Sequence, residues 1–485
     1  MTRLTLGWVA QAVGGLLTGD AEREIGDVVS DSRTLQAGDL FIALCGPTFD
    51  GHDFVADVMN RGAAGAIVNR QAGLKARLSD VRVERGDDSH VSRGGPSGPP
   101  AGALIEVDDT LEALQNLAHA VRIASGTRVI AITGSAGKTT TKETIAEFLA
   151  ARFRVVKNKG NLNNHIGLPL SLMQLRTGPD VAVMELGMNH AGEISTLVAI
   201  ADPDVRVWTN VGDAHLGFFA SADAIADAKA EILDRADPED VLVCNVDDAR
   251  VMARVGRFSG RTITFGTAEG ATVRARQVQD RGLAGMRAHV TTPAGERVIE
   301  TPLLGRGNLS NVLAATAVAV DAGVPLDHIV SAAAALRPAE RRGAVRRLSA
   351  GVTLVDDSYN SSPAALRAIL DVVANEKPVG RKVAVLGEML ELGTHSSVLH
   401  AECGRAAAAA GLQLLFAVGG ESARILADGA IQAGMPPAAV SHFEKSAEAA
   451  PVVAATVRPG DLVLVKGSRG TRTDVVADRL VAEFR

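Results

Sequence analysis

Val129-Ile-Ala-Ile-Thr-Gly-Ser-Ala-Gly-Lys-Thr-Thr-Thr141 is the stretch whose reading decides the fold. The β-branched run Val129–Thr133 predicts a buried strand, and Thr139–Arg152 predicts a helix. Between them stands Gly134-Ser135-Ala136-Gly137-Lys138-Thr139, with Thr140 just inside the helix. Glycines let backbone N–H groups converge on phosphate oxygens, and the helix N-terminus adds partial positive charge. Lys138 is placed to span the outer phosphates, and the Thr139 hydroxyl to ligate Mg²⁺. The strict spacing of this motif needs Gly at 132, where Ile stands, so the loop is a shortened variant. The plainer alternative is a glycine turn with a solvated lysine. A strand running directly into a helix favours the phosphate loop, with ATP or another nucleoside triphosphate as ligand.

Working outward, strands and helices alternate. Val181–Glu185, Val205–Asn210 and Val241–Asn245 read as buried strands, which argues for a parallel sheet covered on both faces. Near Thr262–Thr301 shorter alternating runs predict a β-rich insertion with hairpins. From about Arg346, strands at Thr353–Asp356, Val383–Leu386, Leu414–Val418 and Leu462–Val465 alternate with Ala-rich helices, a second doubly wound unit. Upstream, short strands (Asp39–Leu44, Gly65–Val68) flank a helical stretch near Asp53–Arg61. Arg85–Ala101, rich in Gly, Ser, Pro and charge, reads as a surface loop. The expected fold is therefore α/β in three domains: a small N-terminal α/β domain (1–103), a central doubly wound P-loop domain with the β-rich insertion (104–340), and a C-terminal Rossmann-like α/β domain (341–485).

Composition narrows the partners. The 485 residues, 46% of them hydrophobic, rule out intrinsic disorder. Lys plus Arg number 50 against 56 acidic residues, and aromatics are 3%, so neither a global basic surface nor a stacking platform for nucleic acid is expected. Cys45, Cys244 and Cys403 are too scattered for a disulfide framework or a metal knuckle, which suits a reducing cytoplasm. Leu4–Leu17 is apolar, but Leu6, Val9, Ala10 and Val13 recur at helical spacing and Gln11 interrupts the run. A folded helix is the better reading than a signal peptide. No stretch of ~18 apolar residues predicts a membrane span.

Two further segments close buried strands of the central sheet, where doubly wound folds bind ligands. They are Val183-Met-Glu185-Leu-Gly-Met-Asn-His190-Ala-Gly-Glu193 and Asn210-Val-Gly-Asp-Ala-His215, the latter followed by Lys229. A carboxylate ending a strand beside a phosphate loop suits Mg²⁺, although such residues also serve as caps and surface polars.

With these segments the sequence resembles the Mur ligases, the ATP-dependent amide ligases of peptidoglycan precursor synthesis. The resemblance spans nearly the whole chain. It includes Asp31-Ser32-Arg33, Gly38-Asp-Leu-Phe-Ile-Ala-Leu44, Asp50-Gly-His-Asp53, the phosphate loop, Gly160-Asn-Leu-Asn163-Asn164-His-Ile-Gly167, Ala214-His215 through Lys229, Gly387-Glu-Met-Leu-Glu-Leu-Gly393 and Val465-Lys466-Gly-Ser-Arg469-Gly470. The Gly-Asn-x-Asn-Asn and Met-Glu-Leu-Gly-x-Asn-His segments point to the member that adds D-Ala-D-Ala to UDP-N-acetylmuramoyl-tripeptide.

The resemblance implies roles. Glu185 and His215 would ligate two magnesium ions, and Lys229 would be carbamylated, which turns a repelling cation into an anion. His190 is a candidate base for the amine, or a structural histidine. Asn308 and Asn311, in Gly305-Arg-Gly-Asn-Leu-Ser-Asn311, would hold the adenine, although two Asn three apart also suit a helix cap. Arg342 would reach a phosphate and Asp357 the ribose. Asp31, Ser32 and Arg33 would meet the uridine diphosphate. Asn163, Asn164, Asn360, Lys466 and Arg469 would contact substrates, with an ordinary surface turn as the alternative for the last two.

Departures from the family pattern are Gly307 in place of His, Ser361-Ser362 in place of Ala-Asn, Thr473-Asp474 in place of Met-Glu, and Cys45 where Arg or Lys is common. They leave room for a paralogue making another amide. A P-loop switch that ligates nothing is the rival from another class. A cytoplasmic monomer is expected.

Overall fold

The computed structural model describes residues 4–71, 103–212 and 216–485. The expected loop Arg85–Ala101 and the candidate ligand His215 lie outside these residues.

Three principal sheets follow one another along the chain. The first has the order β1-β7-β6-β3-β2: Leu16–Thr18 (β1), Val28–Val29 (β2), Leu40–Ile42 (β3), Gly65–Asn69 (β6) and Ala103–Val107 (β7). A two-stranded hairpin, Cys45–Gly46 (β4) and Phe49–Asp50 (β5), stands apart from it. The helix Leu6–Val13 opens the chain. It buries Leu6, Val9, Ala10 and Val13, the stripe that the sequence spacing marks, and Gly14 closes it in a left-handed conformation.

The second sheet has nine strands in the order β16-β15-β14-β13-β12-β11-β8-β10-β9. These are Arg128–Thr133 (β8), Val155–Lys157 (β9), Val181–Glu185 (β10), Val205–Trp208 (β11), Val241–Asn245 (β12), Arg261–Gly266 (β13), Val273–Asp280 (β14), Met286–Thr292 (β15) and Gly295–Thr301 (β16). The β-rich insertion expected near Thr262–Thr301 extends this sheet: β13 pairs parallel with β12, and β14–β16 continue it as an antiparallel meander. β10, β11 and β12 are buried at every position, as strands covered on both faces must be.

The third sheet has the order β17-β18-β22-β19-β20-β21: Ala344–Arg347 (β17), Thr353–Asp357 (β18), Lys382–Gly387 (β19), Leu414–Val418 (β20), Val440–Phe443 (β21) and Leu462–Lys466 (β22). All its pairings are parallel except β17 with β18. Two apolar clusters cover its faces, one around Leu370, Leu386 and Leu426, the other around Val385, Val463 and Leu480.

The chain divides into two compact units. One comprises Met1–Ile130, Arg154–Leu186 and Ser195–Pro203; the other comprises Ala131–Phe153, Gly187–Ile194 and Asp204–Arg485. Among the described residues no helix is long and apolar enough to cross a membrane.

Candidate active site

In the second unit, β8 ends at Thr133 and the helix Lys138–Leu149 begins after Gly137, which sits in the left-handed region at φ 83°. The turn between them is held by the end of β11. Asn210 accepts from the Ala136 N–H (2.9 Å) through Oδ1 and donates through Nδ2 to the Ala136 carbonyl (3.0 Å). Thr209 Oγ1 donates to that same carbonyl (3.0 Å), and the Ser135 N–H donates to the Asn210 carbonyl (3.1 Å). Lys138 Nζ donates to the Gly134 carbonyl (2.8 Å), so the lysine folds back over the loop it belongs to. Thr139 and Thr140 occupy the first helical turn. Asn210 and Thr209 were not among the sequence candidates; an Asn after a strand reads as turn chemistry, and only the fold reveals it as a clamp.

The helix Gly305–Asp321 brings Asn311 against this loop. A Cβ on Gly137 would lie 2.8 Å from Asn311 Nδ2 and closer still to its Oδ1. Asn311, buried, donates to Asn308 Oδ1 (3.1 Å), and Asn308 donates to the Leu304 carbonyl (2.9 Å). The pair expected at the adenine thus forms a relay, one end of which abuts the phosphate-loop glycine. Gly307, where the family has His, has no neighbour that a Cβ would meet.

Lys229, near the end of the helix Ala222–Ala230, is 1% exposed. Burial, and then the Lys138 charge, hold its amine well below the ordinary lysine range. A buried amine of this kind, once it has lost its proton, is a nucleophile for CO₂, and the carbamate formed would bring an anion beside a cation. His190 is largely exposed, its Nδ1 lies 3.3 Å from Glu193 Oε1, and its ring centre is 5.3 Å from that of Phe218. The Glu231 carboxylate accepts from the Gly192 N–H (2.7 Å), which ties the His190 loop down.

In the first unit, Glu185 ends β10 and is 4% exposed. Asn158, itself buried, accepts from the Glu185 N–H (3.0 Å) and donates to its carbonyl (3.2 Å). Asn163 Nδ2 donates to Glu185 Oε1 (2.9 Å). Asn164 instead caps the helix Gly167–Leu172 through its Oδ1 (2.8 Å to the Gly167 N–H). Of the two asparagines expected at substrate, one orients a buried carboxylate and the other starts a helix. A carboxylate held in this way, with one oxygen bonded by an amide, fits a hard divalent cation.

Asp31, Ser32 and Arg33 share an exposed turn. Arg33 pairs with Asp31 (2.7 Å), and its hydrogen bond lowers that carboxyl to about 2. The Ser32 carbonyl accepts from Arg61 (2.8 Å). Nearby chemistry went unread in the sequence: Cys45, Asp50 and His52 converge. Asp50 Oδ1 accepts from Cys45 Sγ (3.2 Å) and faces His52 Nδ1 (2.6 Å). His52 Nε2 accepts from the Asn69 N–H (3.0 Å), so the hydrogen-bond pattern assigns the proton of a neutral ring to Nδ1. That ring has no Nδ1 lone pair for a metal. Partial burial, with Asp50 beside it, raises the Cys45 thiol; burial raises Cys244 to about 12 and Cys403 to about 11.

In the third sheet's domain, Asp357 pairs with Lys466 (2.6 Å), which also donates to the Asn360 carbonyl (3.0 Å). The Arg342 guanidinium lies 4.1 Å from the centre of the Tyr359 ring, and that of Arg469 lies 5.9 Å from it. A cavity of ≈ 480 Å³ opens beyond β19 and β20, lined among others by Glu388, Leu390, Gly420, Lys445 and Arg472.

Three family models match the chain in succession. The Mur ligase family, catalytic domain matches residues 24–122; the Mur ligase middle domain matches 132–319; and the Mur ligase, glutamate ligase domain matches 341–469. The UDP-N-acetylmuramoyl-tripeptide--D-alanyl-D-alanine ligase of Bacillus subtilis (strain 168) is 33% identical over 483 residues, 99% of each chain. Crystal structure I of MurF from Acinetobacter baumannii superposes with a TM-score of 0.84 at 32% identity, covering 99% of both chains. The MurF ligase from Thermotoga maritima in complex with ADP gives 0.78 at 28% identity, covering 94% of this chain and 97% of that one. A phosphate loop clamped by the neighbouring strand, a buried strand-end glutamate and similarity along the full length lead to one conclusion: the chain belongs to the Mur ligase family.

Proposed function

We propose that this chain joins D-alanyl-D-alanine to UDP-N-acetylmuramoyl-tripeptide at the expense of ATP, a step of peptidoglycan precursor synthesis. The observation that carries the reading is Lys229, a fully enclosed amine near the end of the helix Ala222–Ala230, held well below the ordinary lysine range by burial and then by the Lys138 charge. A nucleotide switch has no use for it, whereas a ligase needs an anion there to hold metal.

In the first half-reaction a terminal carboxylate oxygen of the tripeptide bonds to the γ-phosphorus, the bond to the ADP oxygen breaks, and an acyl phosphate forms. Backbone N–H groups of Gly134–Thr140 and the Lys138 ammonium offset the charge that builds on the transferring group. Thr139, Glu185, His215 and carbamylated Lys229 would hold two Mg²⁺ ions, which when bound supply Lewis-acid neutralisation of the phosphates. Asn308 and Asn311 would face the base, Arg342 a phosphate and Asp357 the ribose. In the second half-reaction the dipeptide amine attacks the acyl carbon, the C–N bond forms, the C–O bond to phosphate breaks, and phosphate leaves with the electron pair. The amine proton goes to a base, for which His190 is proposed.

The first domain (1–103) would hold the UDP end through Asp31, Ser32 and Arg33, and the central domain (104–340) ATP. The third (341–485) would bring the dipeptide, with Asn360, Lys466 and Arg469 as its contacts and the cavity lined by Glu388, Lys445 and Arg472 as its seat. The mixed charge of that cavity suits a zwitterion. We place the reaction in the cytoplasm, where ATP and nucleotide-linked precursors are at hand, and take the acting species as a monomer. The test is phosphate release by the purified chain. It should require both UDP-tripeptide and D-Ala-D-Ala, and release that needs neither would end the proposal.

A further inference from the structure

The motif Gly387-Glu-Met-Leu-Glu-Leu-Gly393 closes β19 and forms the loop after it, and its backbone is held residue by residue. The Glu388 N–H donates to the Val418 carbonyl (2.9 Å), the Met389 N–H to His400 Nε2 (2.9 Å), and the Leu390 N–H to Ser468 Oγ (3.0 Å). Beyond these bonds Glu391 sits at φ 65° and Gly393 at φ 55°. A side-chain-bearing residue is rare in that region. The Glu391 carbonyl accepts from the Gly217 N–H (2.8 Å). The two glycines meet closely: a Cβ on Gly393 would lie 2.8 Å from Gly217 Cα, and one on Gly217 would lie 2.9 Å from the Gly393 nitrogen. All these residues belong to the second compact unit.

Gly217 is the middle of the short 3₁₀ turn Leu216–Phe218. The ring of Phe218, its neighbour, lies 5.3 Å from that of His190 and is tilted by 58° to it. At its edge, His190 Nδ1 faces Glu193 Oε1 (3.3 Å), while Glu193 Oε2 accepts from the Asn189 N–H (2.7 Å). Against partial burial, these bonds hold the Glu193 carboxyl below its ordinary range. A carboxylate only accepts, so the pattern assigns the proton of a neutral His190 ring to Nδ1 and the lone pair to Nε2. Contacts thus run from the loop after β19 through Gly217 and Phe218 to His190.

We propose that Phe218 is a positioning residue for His190, set in place by the docking of Glu391–Gly393 on Gly217. The proposal rests on the reading above in which His190 takes the proton of the dipeptide amine. As the C–N bond forms and the C–O bond to phosphate breaks, that proton passes to Nε2, and Glu193 stabilises the imidazolium through Nδ1. An exposed histidine has several rotamers; the carboxylate at its edge and the ring beside it select one. The loop that sets Phe218 belongs to the part of the chain that would bring the dipeptide. The base is therefore aligned when that part is docked, and the amine and its proton acceptor arrive together.

The test is steady-state amide formation by the full chain with ATP, Mg²⁺, UDP-tripeptide and D-Ala-D-Ala. Phe218 is 47% exposed, so a leucine there leaves the core intact. Phe218→Leu should lower kcat about ten- to a hundred-fold, with KM for the dipeptide within about three-fold of wild type. Phe218→Tyr keeps the ring and should keep kcat. Gly217 lies outside the left-handed region, so Gly217→Ala acts only by pressing its methyl group on Gly393 and the Glu391 carbonyl, and it should reproduce the loss. In a His190→Gln chain neither Phe218→Leu nor Gly217→Ala should lower kcat further, because the group they position is gone. A Phe218→Leu loss as large in the His190→Gln chain as in wild type, or no loss at all, overturns the proposal. His190→Gln at wild-type kcat refutes the base reading instead, and the two failures are thereby told apart.

Discussion

Gly137→Ala offers a perturbation whose size can be worked from the structure. The backbone there is at φ 83°, a region that costs an L-residue roughly 1–2 kcal/mol. The new methyl group would also overlap the Asn311 side chain, whose Nδ2 lies 2.8 Å from the Cβ position. If Asn311 swings away, its bond to Asn308 is lost, a further cost of about 1 kcal/mol. The sum, about 2–3 kcal/mol, falls on the loop geometry that binds phosphate. At 1.4 kcal/mol per factor of ten, that is a loss of about 30- to 150-fold in nucleotide affinity. The assay is calorimetric titration with Mg²⁺ and a non-hydrolysable ATP analogue, on Gly137→Ala, Asn311→Ala and the double variant. Asn311→Ala removes the same bond that the methyl group displaces, so the double variant should bind about as weakly as Gly137→Ala alone, and the two substitutions should be non-additive. Wild-type affinity in Gly137→Ala, or strict additivity in the cycle, would refute the reasoning.

Further expectations follow from the same geometry. Lys229→Ala should lose catalysis by at least ~100-fold, the scale of a lost transition-state charge contact, with partial rescue by added short-chain carboxylates; an unimpaired variant would remove the carbamate. Asn163→Ala removes one charge-assisted bond from Glu185, worth about 1.5 kcal/mol, so the Mg²⁺ concentration for half-maximal analogue binding should rise roughly ten-fold with little change in melting temperature. His400 is fully buried, accepts from the Met389 N–H (2.9 Å) and is held below the ordinary histidine value of 6.5, chiefly by burial. The unfolded chain therefore binds the extra proton first as pH falls below 6.5, and stability drops through that window while staying level above it. Melting at pH 7.5 and at pH 5.5 should show a larger decrement for wild type than for His400→Gln.

The fold was legible wherever local pattern and tertiary role coincide. Val129–Thr133 runs into glycines and a helix because strand, loop and dipole are all encoded within a few consecutive residues. Val181–Glu185 and Val241–Asn245 are buried along their whole length and read as such. Among the strands that escaped the sequence, Val155–Lys157, Ala344–Arg347 and Val440–Phe443 lie at sheet edges and are half-exposed or charged, so their apolar signal is weak. The joining of the β-rich insertion to the central sheet escaped for a different reason: it depends on β12 pairing with β13, a long-range choice that leaves no local periodicity.

The candidate site shows the same split. Gly137, Lys138 and Glu185 announce themselves by position at the ends of a strand or the start of a helix. Asn158 and Asn210 do not, and Asn163, expected at substrate, gives no sign of its bond to Glu185, because what distinguishes them is the partner each finds across the fold. Asn163 and Asn164, adjacent and chemically identical, end with different tasks only because the helix Gly167–Leu172 begins between them and the rest of the chain.

The three cysteines have a practical consequence. Cys45 is accessible, yet its proton is engaged by Asp50, and Cys244 and Cys403 are buried with thiols raised to about 12 and about 11. Alkylating reagents react with thiolates, and an ordinary surface cysteine, with a value near about 8.5, would outcompete all three at neutral pH. A single reporter cysteine could therefore be introduced and labelled in the otherwise unaltered chain, so that ligand binding can be followed by fluorescence without first stripping out the native thiols.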